Sequence, residues 1–214
     1  MIYFLVTTCL SNSTLTKMGQ YNKAINKLLK LTKNIPNTKC IIIENNGKRK
    51  TFLNEYDCDI FYTKNNNIKH RNIGLKELKD IFDCIEAYQI NEEDFVVKIT
   101  GRYLLDSNSK FIKQLYNLKD IDCIIQYGSL PKINGRYIFK KSNKINDGCF
   151  TGLIGMRCKY IKKIKQYKKD FSDSHIWVEK KWANVTNLID KNKIIIPKTL
   201  GINICPGSYT YYFM

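Results

Sequence analysis

Phe95-Val96-Val97-Lys98-Ile99-Thr100-Gly101-Arg102-Tyr103 is the stretch that decides how this chain folds. An apolar run interrupted by one lysine, then a polar break with a glycine, predicts a strand buried on both faces that ends near Thr100. Such strands belong to parallel sheets covered by helices. A lysine inside one must find water, an anion or a carboxylate. The turn Thr100-Gly101-Arg102-Tyr103 is therefore the first candidate for a working loop, with a purely structural bend as the alternative.

The elements on either side repeat the theme. Ile2 to Thr8 is a nearly continuous apolar run that stops at Thr7-Thr8, which suits another buried strand. Tyr21, Ala24, Ile25, Leu28 and Leu29 recur at spacings of three and four, one stripe of a helix. Cys40 to Ile43 predicts a second strand, ending at Glu44-Asn45-Asn46-Gly47, and Asp59 to Thr63 a third. A helix follows from about Gly74, with Leu75, Leu78, Ile81, Phe82, Ile85 and Tyr88 on one face. Lys76–Asp80 and Lys79–Asp83 are expected as charge pairs on the other. Downstream come a helix near Ser109–Tyr116 and a strand over Cys123–Tyr127. After Gly128 the rhythm changes, with short strands at Arg136–Lys140 and Gly152–Met156, helices at Tyr160–Tyr167 and His175–Leu188, and a strand at Ile194–Pro197. Alternating strands and helices imply an α/β fold of the Rossmann-like kind: a mainly parallel central sheet, helices on both faces, and a smaller C-terminal part.

Size and composition bound the answer. The chain has 214 residues, 43% of them hydrophobic, enough for one sizeable core, so 1–214 is expected to be a single domain. No apolar run approaches the ~18 residues of a membrane span, and the start lacks a basic leader. A cytoplasmic location is the expectation. Eight cysteines, none in a CxxC pair, fit scattered reduced thiols. The formal charge of +17 has two readings. One is a basic surface for nucleic acid. The other is codon bias, because Lys, Asn, Ile and Tyr are all encoded by A/T-rich codons and the charge is spread along the chain.

Ligands of open α/β sheets collect beyond the carboxyl ends of the strands. Those ends offer Thr7 and Thr8, then Glu44 and Asn45, then Lys98, Thr100, Gly101 and Arg102. A carboxylate suits ribose hydroxyls, cations suit a diphosphate, and glycine permits close backbone approach. Each group also has a plainer role as a strand end or turn. The Walker loop, GxGxxG, GxSxG and HExxH are all missing. Asp57-Cys58-Asp59 has the Asp-x-Asp form that holds a metal on a nucleotide diphosphate, but it precedes a strand where a ligand loop should follow one.

Phe95–Tyr103 resembles the K-[IL]-[ST]-G-R-Y segment of small glycosyltransferase-like proteins from bacterial polysaccharide clusters and giant DNA viruses. The order of elements looks like the GT-A fold of nucleotide-sugar-dependent glycosyltransferases. Ile42–Gly47, Asp59–Thr63 and Asn72–Leu78 fit the same pattern. The likeness covers roughly residues 1–130 well and the rest loosely. It implies that 1–130 binds a nucleotide-sugar donor and that 131–214 forms the acceptor side. GT-A enzymes usually carry an Asp-x-Asp metal motif where this chain has Thr100-Gly101-Arg102. The resemblance thus leaves two options: Mn2+ or Mg2+ arriving with the donor, or Lys98 and Arg102 in the metal's place. No metal ligand is assigned.

An inverting transfer needs a carboxylate to deprotonate the acceptor hydroxyl. Similar enzymes carry it on a late helix, which makes Glu179 the first candidate and Asp173 the second, with Asp147 behind. Trp177 and Trp182 flank Glu179, as sugar-stacking faces or as core. Lys159, Lys162, Lys163, Lys165, Lys168 and Lys169 form an amphipathic basic helix, either a solvated face or a peripheral contact with an anionic membrane surface or a polyanion. The expected function is sugar transfer from a nucleotide-diphosphate sugar to a glycan or glycoprotein. The alternatives are a nucleic-acid-binding module, for which interleaved aromatics are sparse, and a catalytically inactive scaffold.

Overall fold

The computed structural model describes residues 1–11, 14–69, 72–129, 132–133, 136–137, 140–142, 144–164 and 178–204. In chain order the strands are β1 Ile2–Thr8, β2 Thr38–Glu44, β3 Asp59–Tyr62, β4 Phe95–Thr100, β5 Tyr103–Leu105, β6 Cys123–Ile124, β7 Gly128–Ser129, β8 Lys132–Ile133, β9 Arg136–Tyr137, β10 Lys140–Lys141, β11 Leu153–Arg157, β12 Ile194–Ile195 and β13 Ile202–Ile204. The helices are α1 Leu15–Thr32, α2 Ile73–Ala87, α3 Lys110–Leu115, α4 Cys158–Ile164 and α5 Val178–Val185.

Seven strands make the central sheet, in the order β12-β6-β11-β4-β1-β2-β3. β1 sits at its heart, parallel to both β2 and β4. β3 continues the parallel run and β12 pairs parallel to β6. Only β11 runs the other way, between β4 and β6. The sheet is mainly parallel and covered on both faces, as the buried runs require.

Alternation along the strands sorts side chains between two cores. Phe4, Val6, Val97 and Ile99 face α1 and α3, meeting Tyr21, Ile25, Leu28 and Phe111. Leu5, Ile41, Val96 and Ile154 face the other way, toward Leu78, Ile81, Ile161, Val178 and Trp182 of α2, α4 and α5. Lys98, paired in register with Leu5 and Ile154, shares this second face.

Several expectations are revised. Asp80 does not pair with Lys76 on an outer face. It is buried, and Lys76 Nζ donates to the Asn66 carbonyl at 2.8 Å. Lys79–Asp83 forms as expected, at 2.8 Å. The Cys123–Tyr127 strand shortens to two residues, and Tyr127 makes only an isolated bridge to Cys149. Asp173, Trp177 and His175 lie outside the described residues, as do Lys165, Lys168 and Lys169. Trp182 belongs to the core, so it is not a sugar-stacking face. On α4, Lys159 pairs with Glu93 at 2.9 Å. Among the described residues, no helix is long and apolar enough to cross a membrane.

Candidate active site

Three parallel strands, β1, β2 and β4, end at one edge of the sheet. There a cavity of about 330 Å³ opens, lined by Thr7, Thr8, Asn45, Glu77, Asp80, Lys98, Thr100, Arg102 and Glu179 together with Tyr21, Tyr103 and Phe150. A larger hollow of about 500 Å³ lies at the opposite end of α2, among Phe82, Ile85, Gln89 and Lys162. Convergence of polar groups, not volume, singles out the first.

Lys98 is the deepest charge in the cavity, 2% exposed. Its ammonium has three donors and all three are used. They reach Glu77 Oε1 at 2.9 Å, Thr100 Oγ1 at 3.1 Å and the Thr151 carbonyl. Thr7 Oγ1 donates to the same Glu77 oxygen. The expected buried lysine therefore has its carboxylate, and none of its donors is left for a diphosphate.

Glu77 is the cavity-lining carboxylate that the sequence reading missed. It sits one turn inside α2 and faces the cavity at 24% side-chain exposure. One signal was available: a buried lysine demands a carboxylate, and α2 packs on the face toward which Lys98 points.

Asp80, one turn further along α2, is also internal. It accepts from Thr63 Oγ1, from Asn65 Nδ2 at 2.7 Å and from Asn45 Nδ2 at 3.2 Å. Burial raises its pKa, against those three hydrogen bonds. Asn45 thus reaches the cavity wall with its amide already engaged. Glu44 lies beneath the wall, fully buried, and does not line the cavity. Its oxygens accept from Thr8 Oγ1, the Leu10 N–H, Asn46 Nδ2 and Arg49. The strand-end carboxylate expected for a ribose is spent on holding the β1 and β2 exits together.

Gly101 also has a local reason. Its N–H donates to the Thr7 carbonyl at 2.9 Å, and an added Cβ would stand 2.9 Å from Thr8 Cγ2 and 3.1 Å from that carbonyl. The missing side chain lets the turn press against β1; Gly101 does not line the cavity.

Arg102 differs from Lys98. Its guanidinium lies 5.9 Å from the centre of the Tyr21 ring, and its buried Nε has no hydrogen-bond partner among the described residues. Glu179, on the wall of the same cavity, is set by backbone contacts. The Cys149 thiol donates to its carbonyl at 3.3 Å. One residue earlier, Val178 packs where a Cβ on Gly74 would stand 2.4 Å away, which locks α5 onto α2. Burial pushes the Glu179 carboxyl above its ordinary range. A hydrogen bond from its own backbone N–H and the charge of Lys98 pull it back, while Glu77 adds to the rise. The stacked rings of Tyr103 and Phe150, 6.1 Å apart, form a flat wall beside them.

A metal finds no ready cradle. No three His, Cys, Asp or Glu side chains gather as ligands among the described residues. Glu77 and Asp80 are taken by internal donors. Asp57-Cys58-Asp59 lies at the start of β3, away from the strand ends, and Asp59 pairs with Lys39 at 2.8 Å.

No family model matches the chain, and no curated protein does. Solved structures share its fold at low identity. A glycosyltransferase involved in the glycosylation of the major capsid of PBCV-1 is 11% identical over 93% of this chain and 83% of its own, with a TM-score of 0.53. A nucleoside-diphosphate-sugar pyrophosphorylase from Vibrio cholerae is 12% identical over 96% and 95%, also at 0.53. A mannosyltransferase from Pyrobaculum calidifontis, in complex with GDP-Man and Mn2+, is 8% identical over 99% of this chain and 56% of its own, at 0.52. The chain thus has the fold that GT-A glycosyltransferases share with nucleotidyltransferases.

Proposed function

We propose that the protein is a glycosyltransferase that moves a sugar from a nucleotide-diphosphate sugar to a glycan or glycoprotein acceptor. The observation that carries this reading is Arg102: a cation just past the end of β4, with a buried N–H that has no hydrogen-bond partner among the described residues, in a cavity that the Glu179 carboxylate also lines. In this reading Arg102 holds the diphosphate and stabilises the charge that develops as the nucleotide leaves. Lys98 acts one step back, fixing Glu77, Thr7 and Thr100.

Glu179 takes the proton from the acceptor hydroxyl, its raised pKa placing it nearer the working pH than an exposed glutamate. Residues 1–130 supply the donor side, and 131–214, through Phe150, Thr151 and Glu179, the acceptor side. The solved neighbours support the choice of substrate class, since one of them is in complex with GDP-Man. Glycosyl transfer is favoured over nucleotidyl transfer by the exit of β1. Cys9-Leu10-Ser11 has no glycine before Gly19, whereas a triphosphate is commonly cradled by a glycine-rich loop.

The test is a panel of UDP, GDP, CDP and dTDP sugars, with and without Mn2+ or Mg2+, read by nucleoside-diphosphate release and by melting shift. Release from one donor that is lost in Arg102→Ala supports the reading. Pyrophosphate release from a nucleoside triphosphate and a sugar phosphate would replace it with nucleotidyl transfer. No response to any donor, in either metal condition, would leave the fold without this activity.

A further inference from the structure

Cys40 and Cys58 are far apart in sequence and adjacent in the fold. The register of β2 and β3 pairs Ile41 with Asp59. One step earlier on each segment stand Cys40 and Cys58. Directly opposed residues of parallel strands project to the same face. Neighbouring strands run about 4.7–4.9 Å apart, inside the window of about 4.4–6.8 Å between Cα atoms that a disulfide needs. Both side chains pack against the same core, and each thiol shifts the other, Cys40 upward and Cys58 downward. Both are partly exposed, whereas Cys84, Cys123, Cys149 and Cys158 are buried.

We propose that Cys40 and Cys58 are an oxidative modification site, a dithiol that a hydroperoxide converts to an intramolecular disulfide stapling edge strand β3 to β2. The neighbouring Cys40 thiol is the largest influence on the Cys58 thiol and draws its pKa below the ordinary value, against burial and the charges of Asp59 and Asp57. Cys58 is therefore the attacking sulfur. Its thiolate takes the distal peroxide oxygen, becoming a sulfenic acid as the O–O bond breaks and the leaving alkoxide or hydroxide picks up a proton. The Cys40 sulfur then attacks the sulfenic sulfur, the S–S bond forms and water departs. The sum is two thiols and one hydroperoxide giving one disulfide, one alcohol or water, and one water.

The bridge would close the excursion 41–57. That excursion carries Asn45 to the cavity wall and Asn46 and Arg49 to Glu44. The inference is independent of the glycosyl-transfer reading.

The experiment treats the native, reduced protein with a small excess of hydrogen peroxide, blocks remaining thiols by alkylation, and maps peptides without reduction. The expected result is a cross-linked peptide joining Cys40 to Cys58, reversed by dithiothreitol. It should be accompanied by a melting temperature about 5 °C higher, because the closed loop restricts the unfolded chain. Cys40→Ser and Cys58→Ser should each lose both effects. If either variant fails to fold, the wild-type peptide map alone decides. Thiols at both positions that stay alkylatable, a sulfinic acid at Cys58 without a cross-link, or a disulfide that joins other cysteines would each overturn the proposal.

Discussion

The floor of the cavity and its mouth are built from the same kinds of residue, yet they balance their charges differently. On the floor, Lys98 spends every donor, Glu77 is held by a lysine and a threonine, and Asp80 has three donors of its own. At the mouth, Arg102 keeps a buried N–H with no hydrogen-bond partner among the described residues, and burial holds Glu179 above its ordinary pKa. Buried polar groups satisfied from within serve the fold. Those left short are where a ligand has something to add.

The sharpest break between the two regions should appear in rate. Glu179→Gln keeps shape and removes the base, so sugar transfer should fall about 10²–10⁴-fold. Arg102→Ala should lower it about 10²–10³-fold through lost charge stabilisation. Neither should change the unfolding free energy from urea titration by more than about 0.5 kcal/mol, the usual range for substitutions away from the core and from satisfied networks. If Arg102→Ala loses its fold and Lys98 variants lose only rate, the roles of floor and mouth are reversed.

The floor should answer in stability. Lys98→Met removes the cation and leaves the Glu77 carboxylate facing an emptied site. Breaking such a pair should cost about 3 kcal/mol, seen as a lower urea midpoint at unchanged slope. Adding Glu77→Leu should recover part of that loss, because both charges then vanish together. A double variant as unstable as the sum of the singles would mean that the two side chains act separately.

How far this division could be read beforehand varies residue by residue. The buried strands announce themselves, since Ile2–Thr8 and Phe95–Thr100 are apolar on both faces, and the strand-end rule locates the cavity. Lys98 and Arg102 were equal as sequence, two cations near one strand end. What separates them is parity: Lys98 points to the α2 side of the sheet and meets Glu77, while Arg102 lies past the turn. Asp80 misled because an i,i+4 pattern describes one helix in isolation, whereas its true partners come from the loops after β2 and β3. Glu44 misled because a strand-end carboxylate looks the same whether it faces a ligand or a neighbouring backbone N–H. The antiparallel insertion of β11 between β4 and β6 has no local signature, since strand order follows from long-range packing.

A milder test concerns the turn that joins the two regions. In Gly101→Ala the new methyl meets Thr8 Cγ2, the Thr7 carbonyl and the Tyr21 ring within 2.9–3.2 Å. Overpacking of this kind costs about 1–3 kcal/mol. The loss should be confined to stability, with activity per folded molecule close to wild type, because Gly101 touches β1 and not the cavity. A folded Gly101→Ala protein with a Km for donor raised tenfold or more would instead place this glycine against the ligand.

The smallest effect is in pH, and there the mouth should show two opposite slopes. The Glu179 pKa is raised above its ordinary 4.5, chiefly by burial. Between that value and the raised one, the folded protein holds a proton that the unfolded chain releases. Its contribution to stability is therefore greatest at low pH and declines as pH rises through this window, levelling off above the raised value. Activity should run the other way, climbing as the carboxyl ionises and becomes a base. Glu179→Gln has no proton to lose, so subtracting its stability profile from the wild-type profile isolates this one group. The difference should fall as pH rises above 4.5 through the raised pKa, over the same range in which wild-type activity rises. A difference that is flat there, or that rises with pH, would mean that Glu179 is an ordinary exposed carboxylate and no base for the reaction.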